Sequence, residues 1–239
     1  MNEKHISTQF DAELSGISTR VLEMGGIVES QVGNAIYALT NYSGETASQV
    51  LKTEERVNAL EMEIDRDLST IIALRQPTAV DLRLLIAISK TIGNLERVGD
   101  EAARIARTVQ RLMNTGVSSR LRLPANDIAF AAELATKLLR KSLDAFARLD
   151  VEQAVQVIRQ DNEIDAEFDG LMRMLVTYMI EDPRTISSSI DLVFVAKAIE
   201  RVGDHAKNLA EQVIYIVNGT DVRHTPMDDL VLKLSRQGN

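Results

Sequence analysis

The chain has 239 residues, 45% hydrophobic and 26% charged, enough to bury a core as one elongated domain or two small ones. A formal net charge of −8 argues against nucleic acid as a partner, and the absence of cysteine excludes disulfides, thiolate metal sites and a cysteine nucleophile. Aromatics at 4%, four prolines and no tryptophan favour an all-α protein.

The N-terminus, Met-Asn-Glu-Lys-His, lacks the apolar region of a secretion signal. No apolar run approaches the ~18 residues that a spanning helix needs. The expectation is a cytoplasmic protein with no membrane insertion. The first predicted helix covers about residues 5–42, where Phe10, Leu14, Ile17, Val21, Met24, Val28 and Val32 recur at 3/4 spacing. Ser43-Gly44 punctuates it. The second, about 45–75, carries Val50, Val57, Leu60, Ile64, Leu68 and Ile71, and Gln76-Pro77 ends it. The third, about 79–114, and the sixth are unusually apolar, so they read as the centres of their bundles. A linker follows, from 116 to 126. The fourth, fifth and sixth segments cover about 126–149, 151–181 and 185–218, with Asp182-Pro183 breaking the last two apart. The polar tail 220–239 contains one further short helical pattern, Met227 to Leu234.

Glu-Arg-Val-Gly-Asp occurs twice, at 96–100 in the third segment and 200–204 in the sixth. The second and fifth segments align at an offset of 107, Val57 and Ile64 on Ile164 and Leu171. The third and sixth align at 104, so one three-residue difference in a turn accounts for the shift. The predicted architecture is two tandem homologous three-helix bundles, residues 1–116 and 124–219, with helices of ~45 Å packed side by side.

Glu96 and Asp100 share one helix face at i, i+4, as do Glu200 and Asp204. A second acidic stripe, Glu54, Asn58, Glu61 and Asp65, runs along the second helix. In the fifth helix Asp161 and Asp165 stand for Glu54 and Asn58, but Phe168 and Met172 replace Glu61 and Asp65, so the halves are chemically unequal. Carboxylates converging from neighbouring helices suit oxygen-ligated divalent or ferric metal ions. The candidate ligands are Glu96, Asp100, Glu61 and Asp65 in the first half and Glu200, Asp204, Asp161 and Asp165 in the second. The competing reading is a solvated or ion-paired face served by Arg56, Arg66, Arg97 and Arg201. Gly99 and Gly203, inside helices, imply close approach of a second helix or space beside the acidic pair. His205 follows Asp204 and reads as a surface histidine, because its counterpart is Glu101. No phosphate loop, nucleophile elbow or H-E-x-x-H motif is present, and the expectation is a binding protein, not an enzyme.

The two pentapeptides, the turn segment Arg75-Gln76-Pro77-Thr78-Ala79-Val80-Asp81 and the segment Met179-Ile180-Glu181-Asp182-Pro183-Arg184 resemble the PhoU family over nearly the whole chain. The resemblance implies a cytoplasmic homodimer that represses the phosphate-starvation response. Its implied partners are the phosphate ABC transporter, through the ATP-binding subunit, and a two-component histidine kinase with its response regulator. It implies that the protein favours dephosphorylation of the regulator when phosphate is plentiful. It also implies iron or another metal at the acidic motifs. The alternative class is a carboxylate-bridged metalloprotein with storage or oxidase activity.

Overall fold

The computed structural model describes residues 8–114, 124–223 and 225–226. Six α-helices run in order: α1 (Thr8–Asn41), α2 (Gly44–Arg75), α3 (Ala79–Asn114), α4 (Ala125–Arg148), α5 (Val151–Glu181) and α6 (Ile186–Asn218). The described residues contain no strand. The proposed 227–234 helix, His5, His224 and most of the 116–126 linker lie outside the described residues. The sixth helix begins at Ile186, within a residue of its predicted start. Pro183–Thr185 form a 3-10 turn, closed by the Asp182 side chain accepting from the Arg184 amide, before α6 begins.

The duplication is visible in the turns as well as the helices. Tyr42 and Leu149 both adopt the left-handed conformation, at φ 51° and 52°. The next residues, Ser43 and Asp150, return their N–H groups to Ala38 O and Ala145 O at 2.9 Å. The same two residues then cap the next helix, accepting from the amides of Thr46 and Gln153. One side chain thus satisfies a free amide at the start of α2 and of α5. The three-residue difference falls at 76–78, where Gln76 ends α2 with φ 46° and Pro77 prevents its continuation.

The outer helices α2 and α5 each bury one heptad seam. In α2 the buried positions are Ala47, Val50, Glu54, Val57, Ile64, Leu68 and Ile71. In α5 they are Ala154, Val157, Asp161, Ile164, Leu171 and Leu175, the same register 107 residues on. Burying each large aliphatic side chain contributes about 2 kcal/mol. The central helices α3 and α6 pack against both helices of their own bundle and against each other, while α1 meets α4. Gly25 permits that second contact, since a Cβ there would lie 2.5 Å from Leu143 Cδ2; Gly26 faces open space.

Candidate functional site

The two pentapeptides sit on the touching helices α3 and α6, and both open onto one cleft of about 470 Å³ lined by Arg97, Asp100, Arg201 and Asp204. The two helices are held together by Arg201 of the second motif and Glu101, which follows the first. Glu101 is buried, and its carboxylate accepts from Arg201 of the other repeat at 3.0 Å, with Arg104 at 3.3 Å. Burial pushes the Glu101 carboxyl above its ordinary range, and Arg104 and Arg201 oppose that.

His205 departs from the surface position that its sequence context suggested. It is half-buried, with Nδ1 3.0 Å from Asn94 Oδ1, an oxygen that also accepts from Asn208 Nδ2 at 3.0 Å. Burial, then Arg97 and Arg201, lower its pKa to about 4. The imidazole is therefore neutral at neutral pH and donates from Nδ1. A histidine held below its unfolded value of 6.5 favours the fold fully above that value. That contribution is lost as pH falls from about 6.5 to about 4. An NMR titration of the imidazole is expected to show no protonation at pH 5.5, and His205→Gln to flatten the stability loss across that window.

In the first repeat, one carboxylate oxygen each of Glu54, Glu96 and Asp100 lies within 4.8 Å of the others. Glu54 projects from α2, and Glu96 and Asp100 from α3. Glu54 is only 5% exposed. Its Oε2 accepts from Gln31 Nε2 of α1 at 2.7 Å, while Oε1 is buried with no hydrogen-bond partner. Gln31 Oε1 and Asn58 Oδ1 are also buried acceptors without donors. A Cβ at Gly99 would lie 2.9 Å from Glu54 Oε2, so the glycine makes room for this carboxylate. Burial pushes the Glu54 carboxyl up, opposed by Gln31 and reinforced by Asp100. Burial likewise raises Glu96, with Asp100 and Glu61 adding to it. Glu61 is raised by burial and Asp65, against Arg97.

Of the predicted ligands in this half, Glu96 and Asp100 therefore come together and Glu61 adjoins them. Asp65 is exposed and accepts from Ser89 at 3.4 Å, one turn away along α2. Glu54 and Gln31 complete the cluster. Their signal in the sequence is a polar residue at a seam position, since Glu54 falls between Val50 and Val57 at 4/3 spacing.

The second repeat places Asp161, Asp165, Glu200 and Asp204 in the equivalent region, but lysines occupy it with them. Lys207 Nζ donates to Asp161 Oδ2 at 2.8 Å, and Lys197 Nζ to Glu200 Oε1 at 2.5 Å. Among the described residues, no three carboxylates of this half converge as those of the first do. A buried set of donor-free oxygens fits a hard cation, which demands oxygen ligands. In the first repeat such an oxygen is Glu54 Oε1, in a cluster where Glu96 is half-buried and Asp100 exposed; in the second, Glu200 Oε2 is buried without a partner, but lysines hold Asp161 and the other Glu200 oxygen.

Comparison with known proteins places this geometry in a family context. A family model described as the PhoU domain matches twice, at residues 21–109 and 128–213. The chain is 46% identical over 230 residues to a Burkholderia protein named phosphate-specific transport system accessory protein PhoU homolog, covering 96% of this chain and 97% of that one. It is 44% identical to the Escherichia coli K12 protein named phosphate-specific transport system accessory protein PhoU, covering 95% and 92%. The crystal structure of PhoU from Pseudomonas aeruginosa superposes with a TM-score of 0.82 at 43% identity, covering 88% of this chain and all of that one. The Streptococcus pneumoniae phosphate transport system regulatory protein PhoU gives 0.81 at 25% identity, covering 89% and 99%.

Proposed function

The chain belongs to the PhoU family, and from that premise we propose that it is an accessory protein that regulates phosphate transport. The observation that carries this reading is likeness along nearly the full length of both chains to proteins of that name. In finer terms, the protein is a cytoplasmic adaptor between the ATP-binding subunit of the phosphate ABC transporter and a two-component histidine kinase. It favours dephosphorylation of the response regulator when phosphate is plentiful. The long helical faces suit docking, and among the described residues no helix is long and apolar enough to cross a membrane. Affinity capture with the immobilised transporter subunit and with the kinase sensor region tests the adaptor. Both are expected to retain the protein at micromolar concentration, and retention by neither would sink the proposal.

We assign the first-repeat cluster to a hard cation, divalent or ferric. Glu54, Glu96 and Asp100 would hold it, with Glu61 adjoining. Such a cation supplies positive charge that offsets the mutual repulsion of these carboxylates. Gln31 orients Glu54 by donating to Oε2, which leaves Oε1 buried and without a partner. Gly99→Ala would put a Cβ against Glu54 Oε2 and Gln31 Oε1, at 2.9 and 3.2 Å. It is expected to weaken Mn2+ binding by calorimetry about 10-fold, the low end of the range for disturbing a ligand's support. A carboxylate-bridged storage or oxidase protein is the second reading. It is favoured by the same buried acceptors and would require dioxygen consumption by the iron-loaded protein.

A further inference from the structure

The two repeats offer a controlled comparison, because each residue near the first-repeat cluster has an identifiable counterpart. Glu54 corresponds to Asp161 and Gly99 to Gly203. A Cβ at Gly99 would lie 2.9 Å from Glu54 Oε2, whereas one at Gly203 would first meet Ile164 Cδ1 at 2.7 Å and lie 3.4 Å from Asp161 Oδ1. The glycine keeps its register beside the acidic residue, but in the second repeat it makes room chiefly for an aliphatic side chain. The source of positive charge differs too.

Lys207, which reaches across from α6 to Asp161, stands where the first repeat has Ala103. Lys197, which binds Glu200, stands where the first repeat has Gly93. A Cβ on Gly93 would lie 3.7 Å from Glu61 Oε1, so a longer side chain there would enter the cluster. In the second repeat Glu61 is replaced by Phe168, and Lys197 Nζ lies 5.3 Å from that ring's centroid. An aromatic face attracts an ammonium group, and a carboxylate's loss is matched by a cation–π contact. Gln31, which holds Glu54, is replaced by Leu138, so Asp161 has its lysine in place of an amide donor. These exchanges point the same way, whereas Arg107, which stands where the second repeat has Glu211, brings a guanidinium into the field of Glu54.

We infer that the second repeat carries its cations as the tethered ammonium groups of Lys197 and Lys207, so that the protein binds one metal ion per chain, in the first repeat, despite having two copies of the motif. An ammonium at hydrogen-bond distance from Asp161 occupies the coordination space and supplies the charge that an ion would otherwise provide. The first repeat has neither lysine, so Glu54 Oε1 and the neighbouring carboxylates are left for a solute ion, whereas the second keeps one such oxygen, Glu200 Oε2, beside its two ammonium groups. The occupancy of the first repeat rests on the cation assignment made above; the exclusion from the second does not.

Mn2+ bound per chain, measured by equilibrium dialysis with elemental analysis, tests the inference. The wild-type protein is expected to bind one ion, Glu54→Gln none, and Lys197→Gly/Lys207→Ala two. The triple variant with Glu54→Gln is expected to bind one again. Lys197→Gln/Lys207→Gln, which removes the charge but keeps most of the side-chain length and a hydrogen-bond donor, serves if the shorter pair does not fold by circular dichroism. Two ions in the wild type, or no gain in a folded lysine variant, would overturn the inference. No ion in the wild type but one in the lysine variant would refute the first-repeat assignment and leave the lysine exclusion standing.

Discussion

Glu54→Gln is expected to move metal affinity and metal-free stability in opposite directions. Affinity for Mn2+ should fall at least about 100-fold, since disturbing a mere supporting partner already costs 10–100-fold. Without metal, the same substitution should raise the thermal midpoint near neutral pH. Burial and neighbouring carboxylates hold Glu54, Glu61 and Glu96 above their ordinary value of 4.5. Carboxyls raised in the folded state favour folding fully below that value. The contribution is lost as pH rises through their elevated values. An amide at position 54 removes one of these charges and keeps the bond from Gln31. A gain of about 1–2 kcal/mol is expected, or several degrees, for a charge otherwise buried without compensation. Calorimetric titration and thermal melts with and without chelator check both halves. A variant that binds Mn2+ like the wild type would remove Glu54 from the site.

Lys207→Met is expected to be the most destabilising of the charge changes, by about 3–5 kcal/mol at neutral pH. Asp161 is 2% exposed and Lys207 Nζ donates to it at 2.8 Å. Removing one partner leaves a buried carboxylate uncompensated, which is costlier than removing both. Adding Asp161→Asn should therefore restore most of the stability. Denaturant unfolding of the two variants decides it, and a single variant within 0.5 kcal/mol of wild type, on the order of a surface change, would contradict the ion pair. By contrast, Arg201→Ala breaks a bridge whose guanidinium is 45% exposed, and Arg104 still serves Glu101. A smaller loss of about 1–2 kcal/mol is expected there after allowance for solvent screening.

Helix order and the duplication could be read from the seam residues, because apolar spacing and turn chemistry are local properties. Phe10 to Val32 outline α1, and Pro77 and Pro183 mark the breaks. The pentapeptides drew attention to Glu96 and Asp100 because they recur. Glu54 was visible only as part of an acidic stripe thought to run beside the core; it is in the core, where α2's heptad positions are shared between aliphatic and acidic residues. Gln31 carried the same signal in α1 and meets Glu54 only through packing of α1 on α2. His205 looked superficial because its covering residue, Asn94, is 111 residues away on the other repeat. The Lys207–Asp161 pair was equally hidden, since it joins two helices 46 residues apart in sequence. Contacts set by tertiary packing leave no spacing to read.

The central claim is the adaptor function, and the most direct measurement is equilibrium binding of the full chain to the ATP-binding subunit of the phosphate transporter and to the kinase sensor region. Both are predicted to bind with dissociation constants in the micromolar range or tighter. Binding to neither partner, with or without Mn2+, would contradict the account.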